Sequence, residues 1–498
     1  MPEPMRIPKP ASSDSLGGRP AVVKRADQDF IDQALGVWVD PERVFLSLYG
    51  ELPFSFWLDG GRDAVAGASY MGAPSDAAEV VLADAAGRDL SIVTPAGADA
   101  LRKHGSVFDH LRERVPAPRR DDPAPIGFRL GWVGWIGYEA GAAIVGSPFH
   151  QSPHPDAAFM FIDRALVFDH LAHTVVLRYL RGAEDIEEWV VETRRRLLDV
   201  ELHEPDEPGP MSVSGTTRWR HDSSAYLALI ERCQDAIRMG DAYQLCLTNQ
   251  ITFDPIADVV DAYRRLRRAN PSHHGGLLRF GGMSLLSSSP EQFLEVRADG
   301  RVTSSPIKGT RPRGATVAED DALKWELRSS EKEKAENVMI VDLVRNDLAR
   351  VCAVGSVEVT RLFAVESYRN VHQLVSTVEG QLAPGRSAVD VAETCGPAGS
   401  MTGAPKRSAM SILDAVEAGP RGPYAGCFGY LGLDGAADLA MSIRTIVSTP
   451  DRATIGTGGG ITALSVPEEE LDEIHLKAEP LLRAIGAATR RPRENENR

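Results

Sequence analysis

The chain has 498 residues, 43% of them hydrophobic, and a formal charge of −15 at neutral pH. That is enough apolar material for a large core, in about two to three units. The acidity argues against a nucleic-acid binder and against attraction to an anionic membrane, because no basic patch interrupts it. Any anionic ligand has to be held locally. Five scattered cysteines, Cys233, Cys246, Cys352, Cys395 and Cys427, lack metal-site spacing. They point to reduced thiols in a cytoplasmic protein, without zinc or a disulfide framework. Nowhere do about eighteen apolar residues run together, as a membrane span requires.

In chain order, residues 1–28 are rich in Pro, Ser and Gly without an apolar signal core and read as a disordered leader. Residues 44–49, 54–58, 91–93 and 127–130 have strand character, 98–114 a helical pattern, and 116–125 the composition of a Pro-rich charged connector. In 131–139 the glycines fall three apart, which suits close backbone approach in a strand pair. Strands are expected at 158–163, 165–168 and 174–179, then a helix over about 184–200. The polar, proline-rich stretch 203–218 divides an N-terminal region, 29–205, from a C-terminal region, 221–488, through a linker at 206–220. A polar tail, 489–498, follows.

The C-terminal region is predicted to be α+β. A helix over 223–239 stops at Gly240, a strand follows at 243–253, and a helix over 256–269 stops before Asn270-Pro271. Strands at 276–280, 283–286 and 293–297 lead into Ser304–Gly314, which sets one lysine among glycines, prolines and arginines. Lys308 is a candidate nucleophile if burial and the neighbouring cations Arg311 and Arg313 favour its neutral amine. The alternative is a basic surface turn.

Two later helices carry acids where a core-facing stripe should be apolar. In 330–350, Glu333 and Glu336 are one turn apart and share a face with Ile340 and Leu343, although Ser330 and Glu333 also have the spacing of a capping box. In 467–479, ending before Pro480, Glu470 and Glu473 repeat the spacing, with Lys477 one turn on. Together the pairs could hold one hard cation, such as magnesium; alone, each is also explained by surface ion pairing. An alternating strand at 368–378 carries His372, either a site residue or a satisfied core histidine. Residues 399–406 flank hydroxyls with glycine and could bind an anion, and 456–460 is a glycine run that lets backbone approach a ligand. It lacks the lysine and hydroxyl of a P-loop, so an ATP site is not expected.

Taken in order, Ser289-Pro290-Glu291, Pro306-Ile307-Lys308-Gly309-Thr310, the stretch from Glu336 to Asp347, Gly403-Ala404-Pro405-Lys406, Ser442-Ile443-Arg444-Thr445 and Gly458-Gly459-Gly460 resemble the chorismate-binding enzymes. The resemblance covers roughly residues 223–485, with weaker support from 53–58 and 134–139. It implies an α+β fold of two stacked, mainly antiparallel sheets with helices between and around them. It also implies Mg2+ held by Glu336 and Glu473 with Glu333 and Glu470 supporting, Glu291 as general acid, and His372 placing the leaving group. Arg444 and Tyr424 would hold the enolpyruvyl carboxylate with the amides of Gly460, Ser400 would line the pocket, and Gln244, Thr310, Gly458, Gly459 and Lys477 complete the expected substrate contacts. Lysine at 308 resembles the members that make 4-amino-4-deoxychorismate for p-aminobenzoate and folate, where anthranilate-forming members usually have alanine. Anthranilate and pyruvate are therefore the alternative products. Members that activate water use a lysine at the position of Gln244, which a glutamine cannot replace as a base. The segment Ala425-Gly426-Cys427-Phe428-Gly429 is no convincing glutaminase motif, so a separate glutamine amidotransferase is the expected ammonia source. The N-terminal segment lacks a clear Leu-Leu-Glu-Ser, which puts feedback inhibition through a tryptophan pocket in doubt.

Overall fold

A computed structural model describes residues 30–85, 88–97, 100–119, 127–201, 207–209, 217–368 and 371–487. The leader at 1–28 and the tail at 489–498 lie outside the described residues, as does most of the 206–220 stretch. The fold is α+β, built on two sheets of twelve strands each in which every pairing is antiparallel.

Both sheets join the two parts of the sequence near their centres. In the first, Phe54–Asp59 pairs with His274–Phe280. In the second, Gly131–Ile136 pairs with Cys427–Gly432. The sheets face each other across a shared core in which Phe56, Leu278 and Leu285 of one meet Val133, Trp135 and Phe428 of the other. Away from it helices enter between the layers: Lys406–Glu417 sends Met410 into a cluster with the second sheet and Ala409 and Leu413 into one with the strand Gln244–Phe253 of the first.

The glycines spaced three apart serve the close approach expected of them. A Cβ on Gly134 would lie 2.7 Å from Phe159 Cα on the neighbouring strand, and one on Gly137 would lie 2.9 Å from the carbonyl oxygens of Asp156 and Gly422. The five cysteines are free and buried. Among the described residues no helix is long and apolar enough to cross a membrane.

Several expected elements differ. Of residues 44–49, all but the C-cap Tyr49 belong to a helix, Pro41–Leu48, because Asp40 caps it by accepting the Arg43 N–H and Pro41 occupies its first turn, signals that outweigh the β-rich composition. Within 98–114, the strand Leu101–His104 precedes a short helix, Val107–Arg112, capped by Ser106. The Lys308 segment is a strand, Ile307–Pro312, not a loop. The last helix, Pro467–Ala484, runs through Pro480, since the buried Leu481, Leu482 and Ala484 continue its apolar face. Sequence reading missed the helices Val317–Ser329 and Ala388–Cys395 and the strand Glu358–Ser367.

Gly134→Val should force this junction apart. Its unfolding free energy should drop by about 2–3 kcal/mol, read as a lower urea midpoint at unchanged slope.

Candidate active site

Lys308 leaves its strand beside a bulge, where Gly309 adopts φ +78° and the register with Val371–Gln381 shifts. Glycine suits that backbone, and there is no room for more: a Cβ there would sit 2.8 Å from the Glu333 carboxyl carbon. The bulge aims the amine at the acidic helices. Lys308 Nζ lies 4.0 Å from Glu336 Oε2, and it would lie 3.7 Å from a Cβ on Gly460. The Gln244 side chain crowds the same point, so strand Gln244–Phe253, strand Ala453–Ile461 and the Lys308 strand converge there. Thr310, beyond the bulge, is exposed.

Arg311 and Arg313 are not the cations beside this amine. Arg311 is drawn to Glu326 at 2.8 Å and Glu333 at 3.5 Å. Arg313 binds Asp320 at 2.7 Å and the Tyr368 carbonyl. The acids of the overlooked helix Val317–Ser329 and of the helix after it claim them.

Glu331–Ala349 starts at Ser330, whose hydroxyl accepts the Glu333 N–H at 3.4 Å, so the capping role proposed for this pair is partly present. Farther along, burial raises the Glu336 pKa while Lys308 opposes the shift and the charges of Glu333 and Glu473 add to it. Glu473 comes from the other helix. Burial would raise its pKa too, but Lys477 at 2.5 Å, with Lys308 and Lys332, holds it below the ordinary value. Glu470 is raised by burial, with a 2.8 Å hydrogen bond from Ser465 opposing. Carboxylates from two helices thus face one another with lysine ammonium groups among them.

This donor set suits a hard divalent ion. Every candidate donor is a carboxylate oxygen, and Glu336 feels the charge of Glu473. Among the described residues no three or more acidic, histidine or cysteine side chains are grouped so that together they could hold a metal ion. Two carboxylates with the rest of the shell left to water and substrate is the pattern magnesium accepts. Glu333, engaged by Arg311, and Glu470, engaged by Ser465, stand one turn farther out.

Lys477 also donates to the Gly458 carbonyl at 2.9 Å, and its own carbonyl accepts from Arg444 at 2.8 Å. Arg444 is held at φ +51°, a backbone few side chains adopt, which turns its guanidinium to this helix. Tyr424 is buried against Gly456, where any side chain would collide with its ring. A Cβ on Gly459 would fall 2.9 Å from Glu470 Oε2 and 4.0 Å from Glu473 Oε1, so the glycine run forms one wall of the cleft.

Glu291 and Ser400 line an adjoining pocket with Pro306, Ile340 and Asp347. Burial pushes the Glu291 carboxyl up to about 7, although Lys308, the Ile307 N–H and Lys477 each pull the other way. It therefore stands near the midpoint of ionisation at neutral pH. His372 lies on the strand paired with the Lys308 strand, two residues from Leu374, the register partner of Lys308. It is fully buried, with Nδ1 on Ser367 and Nε2 on Asp320, each at 2.9 Å. Sequence reading did not single out the buried pair Glu417–Arg421 or Glu139 behind the cleft, nor the 2.7 Å bridge from Lys406 to Asp347. Charges inside otherwise apolar stretches were the available signal.

The chain belongs to the chorismate binding enzyme family, whose model matches residues 72–483. It is 42% identical over 463 residues to the aminodeoxychorismate synthase of Streptomyces pristinaespiralis, covering 90% of this chain and 64% of that protein. Anthranilate synthase component 1 of Thermus thermophilus is 40% identical, covering 76% of this chain and 82% of that one. Among solved structures, anthranilate synthase component I from Streptococcus pneumoniae superimposes with a TM-score of 0.69 at 28% identity, covering 90% of this chain and 98% of that one. The chain spans under two thirds of the length of the first curated relatives it matches.

Because Lys308 lowers the Glu291 pKa, removing its charge should raise it. A carbon-13 NMR titration should place the Glu291 midpoint near pH 7 and move it upward in Lys308→Ala. A downward or absent shift would mean that the two groups are not coupled.

Proposed function

We propose that this chain aminates chorismate to 4-amino-4-deoxychorismate, using ammonia that a separate glutamine amidotransferase releases. The observation that carries the reading is an amine, Lys308, in a cleft with the carboxyls of Glu336 and Glu291. Likeness to proteins named aminodeoxychorismate synthase supports it. Free, buried cysteines suit a cytoplasmic setting, and the product would serve p-aminobenzoate and folate formation.

In this scheme Lys308 Nζ, after losing a proton, attacks C2 of the ring. Both ring double bonds shift one position, along C1, C6 and C5, and the C4 hydroxyl departs. Glu291, kept partly protonated by burial, donates the proton that lets it leave as water. Ammonia then adds at C4, both double bonds shift back and the lysine is expelled as its amine; the Glu291 carboxylate accepts the proton lost by the new amine. Arg444, Tyr424 and the amides near Gly460 hold the enolpyruvyl carboxylate, with Ser400, Lys477, Gly458 and Gly459 closing the pocket and Gln244 beside the lysine. Glu336 and Glu473, with Glu333 and Glu470 behind them, would hold Mg2+, which supplies positive charge for the ring carboxylate. His372, bonded to Asp320, supports the frame around the lysine strand and has no assigned step.

Given chorismate, Mg2+ and ammonium chloride, the purified chain should form 4-amino-4-deoxychorismate, seen by chromatography and mass spectrometry, without anthranilate or pyruvate. Chelation of the metal should stop turnover. Glu291→Gln should slow it by about 10²–10⁴, and Lys308→Ala should abolish an adduct on the intact protein mass. Anthranilate with pyruvate as the main products would overturn the assignment.

A further inference from the structure

Behind the cleft lies a charged node that this chemistry does not use. Arg421 is almost fully buried and forks onto Glu417, its Nε at 2.8 Å and one terminal nitrogen at 2.6 Å. The same guanidinium donates to the Met401 carbonyl at 2.6 Å and the Cys246 carbonyl at 2.9 Å, and stacks 4.2 Å from the Tyr138 ring centroid. Glu417 also accepts the Thr248 N–H at 2.9 Å. Glu139 takes the backbone N–H of Arg421 at 2.7 Å and of Gly422 at 2.9 Å.

What these bonds join is informative. Met401 follows Ser400; Cys246 is two residues beyond Gln244 and in register with Gly460; Thr248 is in register with Gly458; and Gly422 is two residues before Tyr424. Two segments far apart in sequence, one carrying Ser400 and the other Gln244 and the partner of Gly458, are thus tied to one side-chain pair, and Glu139 holds the backbone of Arg421 and Gly422 that leads to Tyr424. Burying two charges is a poor way to stabilise a core, because apolar residues of similar size do as well or better. A planar fork that binds a carboxylate and still reaches two carbonyls fixes distances and angles, which apolar packing does not do.

We infer that Arg421, locked by Glu417, is a positioning residue that sets the spacing of the Ser400, Gln244, Gly458 and Tyr424 walls for chorismate. It touches no reacting atom. The inference rests on the proposed reading of the cleft and adds that substrate fit, not folding, is what the pair controls.

The test is the paired substitution Arg421→Met with Glu417→Leu, which removes both charges at nearly constant volume, beside Arg421→Lys, which keeps the charge and loses the fork. The double variant should melt cooperatively near the wild-type temperature. Its chorismate KM, and its chorismate Kd by calorimetry, should rise about tenfold or more, since small misplacements in a site are costly, while the ammonium KM stays unchanged. Arg421→Lys should lie between. A folded double variant with wild-type chorismate KM, Kd and kcat would overturn the inference. Should the double variant not fold, Arg421→Lys decides: normal chorismate affinity there refutes positioning, and weakened affinity with unaltered melting supports it. Wild-type protein that binds chorismate without aminating it would refute the proposed reaction and leave the calorimetric comparison able to judge the positioning role.

Discussion

The cleft depends on charge balance in a poorly solvated place. Glu336 and Glu473 come from helices more than a hundred residues apart in the sequence, and the charge of Glu473 raises the cost of ionising Glu336. Two unit charges about 4 Å apart interact by about 4 kcal/mol at an effective dielectric constant near 20. Carboxylates brought together in such surroundings therefore need cations. Lys308 and Lys477 provide them here, one 4.0 Å from Glu336 and the other 2.5 Å from Glu473. On the proposed reading the same need would be met by a divalent ion, which would satisfy two carboxylates at once and leave positive charge for an anionic substrate.

The sheets deliver these groups by leaving space between them. Where the two layers touch directly, large rings such as Trp135 and Phe428 fill the gap. Toward the site the strands carry Gly456, Gly458, Gly459 and Gly460 instead, and what takes the place of side chains is the Tyr424 ring, the Gln244 amide and the acids of the last helix. Both sheets draw strands from both parts of the sequence. The cleft is consequently braced by the whole molecule, although most of its candidate groups come from the C-terminal part.

Much of this was legible because glycine, proline and misplaced charge are strong local signals. Glu333 and Glu336, and Glu470 and Glu473, break the apolar stripes of their helices, and their separation by well over a hundred residues is closed by the sheets. The 131–137 glycines announced a close strand pairing that the structure contains. Less legible were features that depend on tertiary competition. Arg311 and Arg313 sit beside Lys308 in sequence but belong to acids on a helix whose own apolar pattern is faint, with only Leu327 buried. His372 alternates with apolar residues as a site residue might, yet Ser367 and Asp320 take both its nitrogens. Residues 44–49 have strand-forming side chains, and the cap that makes them a helix lies just ahead of them.

Likeness along the chain supports the proposed reaction over the anthranilate alternative but does not explain product choice. Identity is 42% to an aminodeoxychorismate synthase and 40% to an anthranilate synthase component 1. Such identity measures shared packing: close glycine pairings, buried ion pairs and the frame around the acids, which any chorismate enzyme of this build needs. Product choice is a matter of which atom reaches the ring first. In the proposed scheme an amine on the lysine strand occupies C2, so ammonia is left C4, the other end of the conjugated five-carbon path through C1, C6 and C5; with alanine there, C2 would be free for ammonia itself. On the proposed reading the distinction reduces to the position of Lys308 Nζ, which lies beside the Gly309 bulge, 4.0 Å from Glu336 Oε2.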